Sequence, residues 1–544
     1  DLGLLKFDFL GLSNLTILEH ARNIVQKTRG VEIDYDHLPL DDKKSFALMR
    51  EGRTTGVFQL ESAGMKRYLK ELKPTEIEDI IAMVSLYRPG PMELIPDYIA
   101  GKHGRKIPEY LHPKLRPVLE KTYGIAVYQE QVMKMAQDLA GFTLGEADVL
   151  RKAMGKKIAS LLNEQKSKFV EGCVKNGMTK KLGEKIFEFI EPFAGYGFNR
   201  SHAACYAMIA YQTAYMKANF PAEFMASLLP ADQQNTDRVA IEIEECKAMG
   251  LKVLPPDVNE SHRSFTVVRD EDGGFTTIRF GLLAIKNVGE HIADAIVAER
   301  KERGQFESLE DLLKRVQDKD LNKKSLESFI RCGALDRFGD RNQMMYNIDA
   351  LLSYHKKVVE EKLGRQSSLF GDQFIATSLR LEAAPPLDPR QELAWEKELL
   401  GLYLSRHPME EFLPVLKGFV IPCREARKAV DGQTVKICGV VSTIKKIFTR
   451  KNEAMCFVKV EDMGDSMEVI VFPSTLAETA QAWIADTIVA VEGRISLKDN
   501  EPKILCSRVK VVTDELINQL KKTQVPTAAV QPVHAPEGAA DETF

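Results

Sequence analysis

The chain has 544 residues, of which 44% are hydrophobic and 28% charged, and its formal net charge is −3. This length predicts three to five domains of a soluble globular protein, and the near-neutral charge excludes a basic signature spread over the whole chain, so nucleic-acid binding must come from local patches. The longest apolar runs are too short to cross a bilayer. The eight cysteines are scattered without a Cys-x-x-Cys pair, which indicates a reducing cytoplasm and no zinc site.

The first predicted element is a buried strand over residues 4–12, in which apolar residues surround Lys6 and Asp8. These two residues are two positions apart and therefore share a face of the strand. Such a pair can hold a divalent metal and a phosphate together, although spacing alone favours an ordinary ion pair on a sheet surface. Because the sequence begins at Asp1 without an initiator methionine, we expect a fragment whose N-terminal part is missing.

Helical patterns dominate residues 41–250, and residues 264–280 then alternate like a short hairpin with Asp272-Gly273-Gly274 as its turn. Helices resume from 288 to 363, and a weakly ordered polar stretch follows at 364–392. Five strand-like runs come next, with a helix at 474–485 between the third and the fourth: 433–448, 454–461, 466–473, 487–496 and 503–512. That order is typical of an OB-fold. The sequence therefore predicts a multidomain, mainly α protein with a C-terminal five-stranded OB-type β-barrel.

A basic cluster lies at residues 151–157, where Arg151 and Lys152 are followed by Lys156 and Lys157. On a helix, Lys156 lies one turn after Lys152 and shares its face. The cluster is either a solvated helix face or a site for a triphosphate or a nucleic-acid backbone.

A turn rich in glycine and aromatic residues lies at 193–202. Asn199 or Ser201 is placed to cap the helix that follows. A helix N-terminus with Arg200 and His202 beside it is a candidate phosphate site, and the aromatic rings either stack on a base or belong to the core.

Residues 281–289 resemble a helix-hairpin-helix, in which two helices flank a turn whose backbone N–H groups hold DNA phosphates. Asn287 stands where the first hairpin glycine usually lies, and asparagine tolerates the left-handed conformation that the turn needs. An ordinary corner between two helices is the alternative.

An isolated apolar pair, Leu369-Phe370, lies in polar sequence three residues after Gln366. It is either a peptide anchor for a pocket on a partner or part of a linker that folds back on its own domain.

Taken in order, these segments resemble the bacterial replicative DNA polymerase III alpha subunits, the C-family polymerases, from residue 4 to about 512. The segments that carry the resemblance are 6–12, 58–62, 88–91, 128–131, 151–157, 193–202, 254–257 and 366–370. The resemblance implies the end of a polymerase palm at 1–15, a helical fingers domain at 16–250 and a helix-hairpin-helix domain that binds DNA and clamp at 251–363. It further implies a linker with a clamp-binding motif at 364–432, an OB domain at 433–512, and a helical extension with a disordered tail at 513–544.

The resemblance also implies a DNA-directed DNA polymerase that adds dNTPs to a primer 3′-end by two-metal nucleotidyl transfer. Asp8 would be the third of three aspartates that hold two Mg²⁺ ions. The implied contacts fall into three sets: Lys6, Arg151, Lys152, Arg200 and His202 for the dNTP; Lys286, Asn287, Gly289, Lys445, Lys446 and Arg450 for DNA; and Gln366, Leu369 and Phe370 for a sliding clamp. The implied partners are primer–template DNA, dNTPs, the clamp, the clamp loader and a proofreading exonuclease, with no membrane.

The other two aspartates of the family are expected upstream of Asp1, so the chain alone should bind DNA and clamp without extending a primer. Two other functions stay open, an error-prone relative in lesion bypass and a non-catalytic DNA-binding scaffold. The motif at 366–370 favours the replicative form, because error-prone relatives usually lack a clear clamp motif.

Overall fold

The computed structural model describes residues 11–155, 159–232, 235–363, 379–449, 451–498, 502–513 and 515–518. The chain divides into two compact units, one formed by residues 1–386 and 398–402 and the other by residues 387–397 and 403–544. None of the described helices combines the length and the apolar character that a bilayer crossing needs.

The first unit is mainly helical, as the sequence predicts. Its helices up to residue 248 are α1 Ser13–Arg29, α2 Lys43–Arg50, α3 Ala63–Leu72, α4 Ile77–Leu86, α5 Ile95–Lys102, α6 Arg116–Leu119, α7 Gln129–Ala140, α8 Leu144–Gly155, α9 Ala159–Lys175, α10 Lys180–Tyr196, α11 Arg200–Asn219, α12 Pro221–Leu228 and α13 Thr236–Ala248.

Helix α11 is central to the first of two cores in this region. It presents Ala203, Ala207, Ala210 and Ala214 at full burial, and these small side chains let α2 and α4 approach closely. A second core forms where α7, α8, α9 and α10 pack together, around residues such as Phe169. The candidate site described below lies where the N-termini of α7 and α11 meet.

A three-stranded sheet follows α13, with β1 Lys252–Leu254, β2 Thr266–Val268 and β3 Thr277–Arg279 in the order β1-β3-β2. The antiparallel β2–β3 pair confirms the predicted hairpin, and Gly273 takes the positive φ of 87° at its turn. Strand β1, which pairs parallel to β3, was not predicted. A strand of three residues is too short to show a periodic pattern in the sequence, and it forms only by pairing with a later strand.

The remaining helices of the first unit are α14 Glu290–Arg303, α15 Leu309–Arg315, α16 Lys323–Arg331, α17 Arg341–Tyr346 and α18 Ile348–Leu363. A helix-hairpin-helix has a helix on each side of its turn. Here the segment before the turn at 285–289 is a single 3-10 turn, Leu282–Ala284, rather than a full helix. The chain leaves β3 at Arg279 and reaches the hairpin a few residues later, which leaves room for only one turn.

The second unit is built on a closed five-stranded barrel, as predicted. Its strands are β4 Thr434–Phe448, β5 Ala454–Glu461, β6 Ser466–Val471, β7 Ile488–Ser496 and β8 Lys503–Val511, in the order β4-β5-β6-β8-β7. Helix α22 Pro473–Thr479 separates β6 from β7. Alternate residues such as Val458, Val469 and Val491 fill the interior, which is the period-two pattern of a strand with one buried face.

Short helices precede the barrel: α20 Leu413–Leu416 and α21 Cys423–Ala426 belong to the second unit, and α19 Pro389–Leu400 contributes residues to both units. Three predicted segments lie outside the described residues, namely most of the strand at 4–12, the clamp motif at 366–370 and the tail at 523–544.

Candidate functional site

Arg151 and Lys152 lie in the C-terminal half of α8, and each forms an ion pair with Asp148. The distances from the Asp148 carboxylate are 2.8 Å to Arg151 Nη2 and 2.7 Å to Lys152 Nζ. Hydrogen bonds from Lys152 and Arg151 hold the pKa of Asp148 below its ordinary value. The basic cluster is therefore partly neutralised from within its own helix.

The α11 N-terminus has the capping residue that the sequence predicts, because the Asn199 side chain accepts a hydrogen bond of 2.8 Å from His202 N. A carboxylate also lies at this terminus. Glu130 accepts hydrogen bonds from Arg200 N at 3.0 and 3.1 Å and from Asn199 Nδ2 at 3.0 Å. The position expected for a phosphate thus already holds an anion, which a phosphate must displace.

The Arg200 guanidinium donates from Nη2 to both carboxylate oxygens of Glu78, at 2.7 and 2.9 Å, and lies 5.8 Å from the ring centroid of Tyr128. The hydrogen bond to Glu78 is the main reason that the pKa of Arg200 is raised. This predicted ligand of a triphosphate is therefore held by a carboxylate in the structure.

His202 belongs to a line of four rings, which we call the aromatic column: Phe58, Tyr206, His202 and Phe198. Successive centroids lie 5.3, 4.3 and 5.3 Å apart. The guanidinium of Arg88 lies 4.1 Å from the Phe198 ring. The His202 side chain is exposed, so this part of the column faces solvent.

Gln129 joins the two predicted clusters. Its Nε2 donates to Gly197 O at 3.0 Å, and its Oε1 accepts from Arg151 Nη1 at 3.4 Å. A backbone bridge between Tyr128 and Phe198 fixes the same junction. The structure thus brings the end of α8, the turn at 197–199 and the start of α11 together.

The residues that organise this junction are not among the predicted site residues: Glu78, Gln129, Glu130 and Asp148. Only Asp148 carried a local signal, because its spacing of three and four residues from Arg151 and Lys152 places all three on one helix face. The other three reach their partners through long-range contacts that no sequence spacing reveals.

The hairpin before α14 contains Lys286, Asn287 and Gly289. Asn287 has a φ of 69°, which confirms the predicted left-handed residue. Its Nδ2 lies 3.3 Å from Ser328 Oγ, and all three hairpin residues are exposed. Within the described part of the chain, the backbone N–H groups of Asn287 and Gly289 have no hydrogen-bond acceptor. These donors are therefore free to bind an anion.

Lys445 and Lys446, two of the implied DNA contacts, are exposed near the end of β4, but they do not share one face of the barrel. Lys445 pairs with Phe457 and Lys446 with Cys456, so the two side chains point to opposite sides of the sheet. The cross-strand neighbours of Lys445 form a row around the barrel. Lys445 is followed by Phe457 on β5, Ile470 on β6, Leu505 on β8 and Arg494 on β7. A half-exposed apolar row with a cation at each end thus crosses the outside of the barrel.

Six predicted site residues lie outside the described residues: Lys6, Asp8, Gln366, Leu369, Phe370 and Arg450. Among the described side chains, no group of three or more His, Cys, Asp or Glu residues is arranged to hold a metal ion. The described residues therefore do not themselves form a metal site.

Three family models match the chain in sequence order. Residues 14–177 match the finger domain of the bacterial DNA polymerase III alpha subunit, residues 250–344 match a helix-hairpin-helix motif, and residues 435–512 match an OB-fold nucleic acid binding domain.

Curated relatives named DNA polymerase III subunit alpha match most of the chain. The relative from Thermus aquaticus is 45% identical over 87% of this chain and 39% of its own length. The relative from Borreliella burgdorferi is 40% identical over 95% of the chain and 45% of its own length, and that from Escherichia coli is 40% identical over 91% and 44%. The chain spans less than half the length of these relatives.

Proposed function

Because the chain belongs to the bacterial DNA polymerase III alpha subunit family, we propose that it forms part of the catalytic subunit of a bacterial replicase. The reaction is the template-directed addition of dNTPs to a primer 3′-end. One observation supports this best: Arg151 is far in the sequence from Arg200 and His202, yet all three lie around a single junction organised by Gln129 and Glu130.

In the proposed site, Arg151 and Lys152 neutralise the triphosphate of the incoming nucleotide, and Arg200 and His202 lie beside it. The ion pairs with Asp148 and Glu78 keep these cations in place before the nucleotide arrives. Phosphate oxygens then take over hydrogen bonds that the carboxylates accept in the free chain, which exchanges one anionic acceptor for another. Lys6 would lie beside the same phosphates.

The proposed requirement for Mg²⁺ depends mainly on Asp8. The resemblance gives Asp8 the role of one of three aspartates that bind two Mg²⁺ ions, which supply Lewis-acid stabilisation of the transferring phosphoryl group when bound. Because one aspartate of the three that the resemblance implies does not complete a two-metal site, we further propose that the 544-residue chain by itself does not extend a primer.

Two regions would hold DNA. The free N–H groups of the hairpin at Asn287 and Gly289, with Lys286 beside them, suit the phosphates of the duplex product. The OB barrel, with Lys445, Lys446 and Arg450, suits single-stranded template. The motif Gln366, Leu369 and Phe370 would bind the sliding clamp and raise processivity by tethering, alongside a clamp loader and a proofreading exonuclease.

The proposal is tested by fluorescence anisotropy of a labelled primer–template mixed with the 544-residue chain, together with a primer-extension assay. We expect micromolar or tighter binding that weakens steeply with salt, and no extension. In a full-length subunit that contains the chain, we expect extension. Binding without extension in the full-length subunit would instead identify a non-catalytic scaffold.

A further inference from the structure

Gln59 has a backbone conformation that normally belongs to glycine. Its φ is 62°, and it is the third residue of a β-turn in which Leu60 N donates to Val57 O at 3.1 Å. Turns with a positive φ at this position strongly favour glycine. Glutamine has a Cβ that this conformation strains, and it is not one of the short polar residues that tolerate it.

The surrounding structure holds this turn firmly. The Thr54 hydroxyl donates to Leu60 O at 2.6 Å, and Phe58 N donates to Thr213 Oγ1 at 3.2 Å. The buried ammonium of Lys217 donates to two backbone carbonyls just before the turn, at 2.9 and 2.8 Å. A strained residue that its surroundings hold in place is a recurring feature of ligand-binding sites.

Gln59 directly follows Phe58 in this turn, and the Phe58 ring is the first of the aromatic column. The Gln59 side chain is exposed, and its amide makes no hydrogen bond to any of the residues described. The exposed residue that follows the first ring of the column in the chain thus carries an uncharged amide with one donor group and one acceptor. The column in turn adjoins the cluster that contains Arg200 and His202.

We propose that Gln59 and the aromatic column together contact a nucleobase. The rings offer a stacking surface, since every base has a flat π-face, and the amide can bond to the polar edge of the same base. This role differs from that of the neighbouring cluster because of charge. The cations Arg151 and Arg200 suit a phosphate, whereas the neutral amide of Gln59 suits the polar edge of a base. This inference rests on the proposed function and adds a base-contacting residue to it.

The base comes either from a free nucleoside triphosphate or from the DNA strand, and both present the same ring and edge. The experiment therefore measures two affinities of the 544-residue chain, for a fluorescent dATP analogue and for a labelled primer–template. Two variants separate the side chain from the backbone. Gln59→Ala removes the amide and keeps the strain, whereas Gln59→Gly removes both.

We expect both variants to weaken the binding of at least one ligand by about three- to tenfold, and the ligand affected identifies the source of the base. Only Gln59→Gly should also raise the unfolding temperature, because it relieves the strain. Lys73→Gly is the matched control, since Lys73 is exposed with a φ of 51° at the end of α3. It should raise the unfolding temperature without altering either affinity.

Unchanged affinities in Gln59→Ala, with normal binding by the wild-type chain, would overturn the assignment of Gln59 and leave the proposed function intact. The assignment is equally overturned if Gln59→Ala weakens binding but Gln59→Gly does not, because Gln59→Gly also lacks the amide and binding would then not require it. Failure of the wild-type chain to bind primer–template contradicts the proposed function, and this inference with it.

Discussion

The carboxylate of Glu130 accepts two hydrogen bonds from the backbone N–H of Arg200, at 3.0 and 3.1 Å, in the first turn of α11. A negative charge at a helix N-terminus stabilises the helix, and the same charge opposes any phosphate that approaches there. The charge of Glu130 is therefore expected to raise the stability of the chain and to lower its affinity for nucleotide.

Glu130→Gln tests this opposition. The neutral amide keeps an acceptor oxygen but removes the charge, so we expect the chain to lose about 0.5–1 kcal/mol of stability and to bind dNTPs more tightly. Urea denaturation and titration with a fluorescent dNTP measure the two effects. Glu120→Gln, which removes an exposed carboxylate paired with Arg116, is the control and should leave nucleotide affinity unchanged. Equal or weaker affinity in Glu130→Gln would contradict the prediction.

Arg151→Ala and Lys152→Ala test the basic cluster in a full-length subunit. We expect each change to raise the KM for dNTP or to lower kcat, because a phosphate loses a cationic partner. The matched control is Lys168→Ala, since Lys168 also pairs with an acid one helical turn earlier on an exposed helix face. If steady-state kinetics of both variants equal those of the control, the cluster is a solvated helix face.

The hairpin prediction concerns the φ of 69° at Asn287. Asn287→Gly should keep both the turn and DNA affinity, whereas Asn287→Ala should cost about 1 kcal/mol of stability and weaken duplex binding. Fluorescence anisotropy with labelled duplex DNA measures the DNA affinity of the two variants, and thermal unfolding measures their stability. Asn452→Ala, at a φ of 59° in the turn between β4 and β5, is a control for the strain alone. Equal DNA affinity in all three variants would remove the hairpin from the proposed DNA contacts.

The buried Glu242 predicts a pH dependence of stability. Burial, together with the neighbouring Asp232, raises its pKa to about 9. Its side chain is fully buried and lies 3.0 Å from Arg238 Nε. Between the unfolded pKa near 4.5 and the folded value, the native state binds more protons than the unfolded state. Stability therefore falls as pH rises through this window, by at most about 1.4 kcal/mol per pH unit.

Urea denaturation at several values between pH 6 and pH 9 measures this slope. Glu242→Gln removes the titrating group and should flatten the dependence, while Glu244→Gln, a change at an exposed position on the same helix, should preserve it. A wild-type slope that Glu242→Gln leaves unchanged would assign the dependence to other groups.

The clamp motif gives the last prediction. Leu369→Ala and Phe370→Ala should each reduce capture of the chain by immobilised sliding clamp by about tenfold or more, because apolar anchors dominate such peptide contacts. Ser367→Ala, within the same segment, is the control and should retain binding. Full capture of both anchor variants would show that the clamp binds elsewhere.

Local sequence patterns predict the structural features that depend on neighbouring residues. The OB strands follow from period-two alternation, and the Asn199 cap and the Asn287 turn follow from residue chemistry. The long-range partners were not predicted. Arg200 meets Glu78 across 122 positions and Glu130 across 70, and no spacing rule links residues so far apart. The same holds for β1, whose three residues become a strand only by pairing with β3.

The closure of the barrel limits how other molecules can bind to it. Each of β4 to β8 pairs on both sides, with the parallel contact of β6 and β8 sealing the ring. Where a strand pairs on both sides, a peptide from another protein cannot join the sheet, whereas residues 443–448 of β4 pair with β5 alone. Any molecule that docks where the strands pair on both sides must bind side chains of the wall or the connecting loops, so point substitutions there can abolish docking while the scaffold stays intact.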